Sequence, residues 1–509
     1  MTTTLLCSSI SPSRSLPFLC NILLVSTWWL VLVNPAAQAL VSPQPVSVGI
    51  DLGTSGARIS AVKSSSTGPP EEVFSAAFPW KDGAYDDPEL WVNIVDHLLQ
   101  LLHADAPGDG QRPIQSICVS GTSASCLIYD TATDTVSRPP RMYDYNVLDT
   151  ATTPSASVRD QVQTLLDTHV PPRHTTRSGT SSLAKLLAWH VEEPLRSTER
   201  LLHQADYVAY RLAHQCSEGN SPRNYPITIV SDWHNCLKLG YDVRADCWPS
   251  WFLDCAAAVG IADTVWPTRV VSPGTPSYPS FVAGTTDSNA AFVAGVSSTV
   301  VPGVAVTSLG STVALKQVSK TYVEDADRGV YSHRCPSVLL PEDKGDNVDE
   351  LWLVGGASNV GCAVLRELEF STDELDKLSQ QIDPTQDSPL EYYPLTKRGE
   401  RFPVADTEKE PVLDPVPENR ADFLHGVLQG IGDVERDGYV ALEDLGALPR
   451  CQKVWTCGGG SRNDMWTHLR QRRLRACFPG VEVDRAVNVE ASYGAALLAE
   501  AGATSTISS

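Results

Sequence analysis

The stretch Val46-Ser-Val-Gly-Ile-Asp-Leu-Gly-Thr-Ser-Gly-Ala-Arg-Ile-Ser-Ala-Val62 reads as a β-rich run, a glycine-rich turn over Asp51 to Gly56, and a second run with strand alternation. The same unit returns downstream as Gly303-Val-Ala-Val-Thr-Ser308, the turn Leu309-Gly-Ser-Thr312, and Val313-Ala-Leu-Lys-Gln-Val318. Placed side by side, Gly53-Thr54-Ser55 matches Gly310-Ser311-Thr312. Two copies of one hairpin about a domain length apart predict a duplicated architecture, two similar α/β halves around a cleft.

A turn of Gly, Thr and Ser between two strands offers backbone N–H groups and hydroxyls in a concave nest, which suits phosphate oxygens. Two such turns facing each other could clamp a polyphosphate. The first carries Asp51 where the second has Ser308, so one side alone supplies a carboxylate, as suits Mg²⁺ held largely through water. Asp and Gly also favour ordinary hairpin turns on steric grounds, and the pairing of the copies is what argues for phosphate. A third glycine-rich element, Thr456-Cys-Gly-Gly-Gly-Ser-Arg-Asn463, follows the run Lys453 to Cys457 and precedes a helix expected from Asp464 to Arg473. Glycines at such a junction let a nucleotide lie against backbone and helix N-terminus. No GxxxxGK[ST] or GxGxxG motif competes for that role.

Val282-Ala-Gly-Thr-Thr-Asp287-Ser-Asn-Ala-Ala-Phe places one acid at the end of a glycine-containing loop, just before an expected helix. Asp287 is therefore either a helix cap or a general base that orients an alcohol and accepts its proton. Asp433-x-Glu-x-Asp437-Gly438 with Asp444 resembles a calcium loop, but Glu at the third position and Asp at the twelfth favour a glycine-containing turn between helices.

Outside these motifs the chain sets bounds. Its 509 residues, 42% hydrophobic and 19% charged, suffice for two globular domains with cores. A formal net charge of −21 argues against a nucleic-acid partner, which needs clustered Lys and Arg. Thirteen cysteines include no CxxC pair, which disfavours zinc ribbons and points to a reducing compartment. Helices are expected over Leu90 to His103, Ser182 to His190 and Phe423 to Val434, with a Pro- and Arg-rich loop over Pro171 to Arg177. The acidic or Pro-rich segments Glu342 to Glu350 and Pro384 to Glu418 read as surface insertions.

These motifs together resemble the FGGY carbohydrate kinases of the actin-like ATPase superfamily. Asp51 to Arg58 is similar to the first phosphate motif, Ser308 to Thr312 to the second, and Cys457 to Asn463 to the adenosine motif. Ala491-Ser-Tyr-Gly-Ala-Ala-Leu-Leu498 is similar to the closing helix, and the resemblance runs from about residue 46 to residue 500. It is strongest to the plant, algal and cyanobacterial branch once called xylulose kinase-like and understood as D-ribulose kinases. Ser231 to Tyr241, Leu353 to Gly361 and Glu391 to Leu395 carry that likeness.

The resemblance implies a two-domain actin-like ATPase (ribonuclease H-like) α/β fold, with ATP and sugar in the interdomain cleft. Residues 46–297 would form the sugar and phosphate side, 298–500 the nucleotide side and 501–509 a tail. Asp287 would be the catalytic base and Asp51 would organise Mg²⁺ through water. Gly53, Thr54, Ser55, Arg58, Gly310, Ser311 and Thr312 would contact the phosphates, and Gly458, Gly459, Gly460 and Asn463 the nucleoside. Many members carry Trp-x-Asp-x-Arg at the sugar site where this chain has Met142-Tyr-Asp-Tyr-Asn146, so Asp144 would join Asp51 and Asp287 there. The implied reaction converts D-ribulose and ATP to D-ribulose 5-phosphate and ADP, with D-xylulose as the next substrate. An ATP-binding switch of the same superfamily is the rival reading, and it has no need of Asp287 as a base. Neither reading fixes an oligomeric state.

The N-terminus carries its own signal: the apolar run Leu16 to Val33 meets the small-x-small pattern Ala37-Gln-Ala39. Residues 1–45 read as a cleaved leader, with a retained membrane anchor as the alternative. On an enzyme of a reducing compartment such a leader fits import into a plastid through the secretory route, the alternatives being the secretory pathway itself and the cytoplasm; once it is removed no membrane partner is expected. Intact-mass measurement of the native protein is expected to place the mature N-terminus shortly after Ala39, and a chain retaining residues 1–35 would refute cleavage.

Overall fold

In the computed structural model the residues described are 44–65, 68–80, 85–106, 112–217, 228–297, 300–340 and 350–505, all within one compact unit. The leader and the acidic segment 342–349 lie outside them. Both hairpins form where the alternation places them. The first pairs Val46–Leu52 with Gly56–Lys63 and the second pairs Val304–Leu309 with Val313–Ser319, each antiparallel. Each hairpin is then extended in the same way. An antiparallel strand joins the second arm, Glu71–Pro79 in one sheet and Trp352–Ala357 in the other. A parallel strand joins the first arm, Ile114–Gly121 in one and Lys453–Cys457 in the other. The duplication read from the turns is thus a duplication of sheet topology.

Beyond Ile114–Gly121 the first sheet is completed by Pro276–Tyr278, Phe281–Val282 and Thr285–Thr286. Beyond Lys453–Cys457 the second adds Glu482–Arg485, and beyond Trp352–Ala357 it adds Tyr331–Arg334. Two helices run between the sheets: the connecting helix Asp287–Val296 and the closing helix Ala491–Ser505. Phe292, Val293, Tyr493 and Leu497 pack into one apolar cluster with Val62 and Cys118 of the first sheet and Val306, Val318 and Leu353 of the second. The two helices touch at their backbones: a Cβ on Gly494 would sit 1.8 Å from the Ala290 carbonyl oxygen. Closing-helix side chains also reach the first sheet, with Ser60 and Ser492 hydroxyls 2.9 Å apart and Ser47 donating to Glu500 at 2.6 Å.

The expected helices are present, over Pro88–Ala104, Ser182–Glu192 and Asp464–Arg475. Two expectations are corrected. The calcium-like segment is no turn, because helix Arg420–Asp444 runs straight through it. Gly438 serves close packing there, since a Cβ would lie 2.4 Å from Leu315 Cδ1 and 2.6 Å from Phe402 Cε1. Asp433 is bound to Arg436 and Arg473, and Glu435 is buried. Nor is 384–418 a loose insertion: Tyr392, Leu395 and Phe402 belong to the core of the second half, and buried Glu400 accepts from the Ser358 and Tyr393 hydroxyls and the Asn359 N–H. The ten cysteines outside the leader and Cys216 are free thiols, and no helix among the described residues is long and apolar enough to cross a membrane.

Behind the second hairpin, Arg470 bonds both oxygens of Glu435 at 2.6 Å, and Thr307 donates to the same carboxylate at 2.6 Å. Both charges are fully enclosed, so removing one strands the other in a low-dielectric core. Arg470→Met is expected to lower unfolding free energy by about 3–5 kcal/mol, read from a denaturant titration.

Candidate active site

Register sets the centre of the site. Asp51 lies opposite Arg58 on one side and Ser120 on the other, and Ser120 lies opposite Thr285. Asp287 follows two residues later, as the first residue of the connecting helix. Asp51 and Asp287 therefore emerge from the same end of the first sheet, with one strand between them. Asp51 is buried; its Oδ1 accepts from Ser120 Oγ at 2.8 Å and its Oδ2 lies 3.5 Å from Arg58 Nη1. Burial, then the charge of Asp287, pushes its carboxyl up to about 7, against the opposing pull of Ser120 and Arg58. Asp287 is also raised, mainly by desolvation, while its own bond from the Ser288 N–H and the charges of Lys316 and Lys238 pull it down.

Asp287 does not fill the alternative role of helix cap. Among the described residues its carboxylate accepts from the adjacent Ser288 N–H alone, at 2.6 Å, rather than from a residue two or three further on. Thr286 occupies the cap position and makes no side-chain cap bond.

The three glycine-rich turns fall as follows. At the first, the Gly53 N–H donates to the Gly56 carbonyl at 3.1 Å, and Trp80 braces the loop with its indole on the Gly53 carbonyl at 2.8 Å. Thr54 and Ser55 are exposed, Ser55 Oγ accepting from Arg58 at 3.0 Å. Arg58 is also 3.4 Å from Glu490, so its charge is shared among three neighbours. At the second turn the Gly310 N–H donates to the Thr312 carbonyl, and Arg366 donates to Ser311 Oγ at 3.1 Å. The third turn lies against the second. Gly458, with φ of 82°, approaches so closely that a Cβ would be 2.5 Å from the Leu309 carbonyl oxygen. Gly459 faces open space, as a surface for a planar base requires, whereas Gly460 makes room for the Trp466 ring. Asn463 caps helix Asp464–Arg475 through Trp466 N–H and donates to Ser379, so both ends of its amide are engaged within the protein.

Asp144 is exposed on the loop after strand Thr135–Arg141. Buried Lys185 anchors that loop, its ammonium donating to the carbonyls of Met142 at 2.6 Å and Ala124 at 2.8 Å. Asp144 raises the hydroxyl pKa of Tyr85, and Tyr143 is raised by burial and then by both Asp144 and Asp287. Asp144 is thus close enough to act on both tyrosines, and Tyr143 also feels Asp287. Sequence reasoning missed Ser120, Trp80, Lys185, Arg366, Lys238 and Lys316, whose roles depend on contacts far along the chain.

Asp51 fits a Mg²⁺ held largely by water and phosphate oxygens. Its buried carboxylate is repelled by Asp287, a strain a cation would relieve, and no cluster of three or more metal-ligating side chains exists among the described residues.

No family model matches the chain. Solved structures do. A xylulose kinase from Brucella ovis superposes with a TM-score of 0.68 at 21% identity over 90% of each chain. A xylulose kinase from Bifidobacterium adolescentis gives 0.67 at 17%, over 91% of this chain and 93% of that one. Plasmodium falciparum glycerol kinase with ADP gives 0.66 at 14%, over 90% and 89%. The chain has the α/β fold of these sugar kinases, the two-domain actin-like ATPase architecture.

A raised carboxyl pKa fixes the sign of a pH effect. Stability is greatest while Asp51 is protonated in both states and falls as pH climbs from the ordinary carboxyl range toward about 7. Asp51→Asn carries no such loss. Without ligands, its melting temperature relative to wild type is expected to be higher at pH 8 than at pH 5 by at least about 2 °C, read by calorimetry.

Proposed function

We propose that this protein is an ATP-dependent carbohydrate kinase that phosphorylates a free ketopentose, D-ribulose to D-ribulose 5-phosphate, with D-xylulose as the second substrate. The observation that carries the reading is Asp287, a recessed carboxylate of raised pKa that emerges with Asp51 from one end of the first sheet. A switch that only holds nucleotide needs no such group. The kinase fold and the xylulose kinases among its structural relatives support the class of reaction. The likeness of Ser231 to Tyr241 and Leu353 to Gly361 to D-ribulose kinases supports the sugar.

The sugar lies against Asp144, Tyr85 and Tyr143, and ATP runs from Gly459 across the turns at Gly310–Thr312 and Gly53–Ser55. The terminal sugar hydroxyl oxygen forms a bond to the γ-phosphorus as the bond from that phosphorus to the bridging β–γ oxygen breaks. That electron pair leaves with ADP, and the hydroxyl proton passes to the Asp287 carboxylate. Asp51 would hold a Mg²⁺ through water, and that ion would supply charge neutralisation on the phosphates. Residues 46–297 and 298–500 serve as the sugar and nucleotide sides, and the leader directs the protein to a plastid.

Asp287→Asn keeps the shape but cannot accept a proton. It is expected to lower kcat for D-ribulose by about 10²–10⁴-fold while ATP affinity and melting temperature stay close to wild type. Retention of more than about a third of wild-type kcat would remove Asp287 from the mechanism. A coupled ADP-release screen over pentuloses, hexuloses and glycerol identifies the substrate, and no turnover with any of them would overturn the kinase reading.

A further inference from the structure

Two ammonium groups act on Asp287, Lys316 from the second hairpin and Lys238 from the turn Leu237–Leu239. Lys316 lies on the second arm of the second hairpin, strand Val313–Ser319, opposite Val306. Along that arm Val313 and Leu315 point into the core, whereas Ala314 and Lys316 are half-buried on the other face. The face that carries Lys316 thus leads back to the turn Gly310–Thr312. Its Nζ crosses from the second sheet to the connecting helix, donating to Asn289 Oδ1 and, at 3.2 Å, to Ser288 Oγ. Lys238 approaches from the turn Leu237–Leu239 and makes no hydrogen bond among the described residues. Both feel the charge of Asp287, and Lys316 also faces Lys238 and the neutral rings of His234 and His333.

Holding two recessed ammoniums beside one carboxylate works against the folded chain. Desolvation and mutual repulsion lower the Lys316 pKa to about 7, and burial lowers Lys238 as well. Balancing Asp287 needs one cation, not two. The excess is of use where negative charge arrives, and the phosphoryl group in transit spreads charge over three equatorial oxygens. The other cations nearby are committed: Arg58 to Asp51, Glu490 and Ser55, and Arg366 to Ser311 on the donor side. Lys316 and Lys238 stand at the acceptor side, beside the base.

We propose that Lys316 and Lys238 form a cationic clamp on the phosphoryl group as it passes from ATP to the sugar, with Lys316 the principal catalytic residue of the pair. The clamp rests on the kinase reading above. In the step, the sugar oxygen–phosphorus bond forms, the bridging oxygen–phosphorus bond breaks, and the proton goes to Asp287. Both lysines keep their protons and meet the equatorial oxygens. An interaction made only in transit lowers kcat and kcat/KM together when it is removed, leaving ground-state binding alone.

The test uses the full protein with Mg²⁺ and ATP and the best sugar from the screen. Lys316→Gln retains a donor for Ser288 and Asn289 but no charge; its kcat is expected to fall by about 10²–10³-fold, with sugar KM and ATP-analogue affinity within about threefold of wild type. Lys316→Arg, which restores charge, is expected to recover to within about tenfold of wild type. If wild type turns over and Lys316→Gln keeps more than about a third of its kcat, the clamp is overturned while the kinase stands. An Arg variant as inactive as the Gln variant overturns it too, because the loss would then track shape rather than charge. Should Lys316→Gln fail to fold, Lys238→Gln decides by the same split: a fall of about tenfold or more in kcat at constant KM supports the clamp, and unchanged kcat overturns it.

Discussion

Everything in the cleft depends on one close approach, the backbone contact between the connecting helix at Ala290 and the closing helix at Gly494. Packed interiors do not deform continuously, so this contact fixes how far the two helices interpenetrate. Their shared apolar cluster reaches into both sheets, and the contact thereby fixes the sheets relative to each other. Asp287 opens one of these two helices, one turn from Ala290. The carboxylate is thus positioned by the element that joins the halves, and Lys316 reaches that same first turn from the other sheet. His234 adds a further tie, bonding Thr285 of the first sheet and the Arg334 carbonyl of the second through its two ring nitrogens; burial holds it neutral, with its pKa near 3.

Duplication explains the topology, and divergence between the copies explains the chemistry. In the first hairpin the cross-strand pair nearest the turn that bears on the site is Asp51 with Arg58; in the second, the corresponding pair is Ser308 with Ala314. Two residues further from the turn the order reverses. Gly49 pairs with Ser60 in the first, where the serine hydroxyl is occupied by Ser492, and Val306 pairs with Lys316 in the second. One copy therefore presents a carboxylate with its arginine and the other a lone lysine. The two turns, alike in backbone, therefore differ in the charge they set beside them.

The fold was legible in the sequence because its decisive features are local. Turn residues and strand alternation lie within Val46 to Val62 and Gly303 to Val318, and Lys453–Cys457 has the bounds its composition suggests. Asp51 and Asp287 stood out for the same reason, as isolated acids beside glycine-rich turns, and the structure places both at one end of the first sheet. What stayed hidden depends on crossings. Lys316 looks like an ordinary strand lysine until the connecting helix brings Ser288 and Asn289 to its ammonium, and Lys238 like a loop lysine until it feels Asp287. Arg366 matters only because the segment after Trp352–Ala357 folds back on Ser311. Gly438 misled because glycine marks both turns and close packing, and only the nearness of Leu315 and Phe402 separates the two. Glu400 misled the reading of 384–418, since an acid in a Pro-rich stretch signals a solvated loop unless four donors surround it.

The electrostatics of the cleft carry one further consequence. Two carboxyls are pushed up and two ammoniums pushed down within one site, each mainly by desolvation. Opposite charges at that range normally stabilise each other's ionised forms, so desolvation outweighs the pairing here. The folded chain keeps these groups apart from water without fully satisfying them. A ligand that carried both signs would supply what each group lacks. The cost of burying these groups is set by the fold itself, and a group that met them with opposite charge would be held in proportion to the cost it relieved.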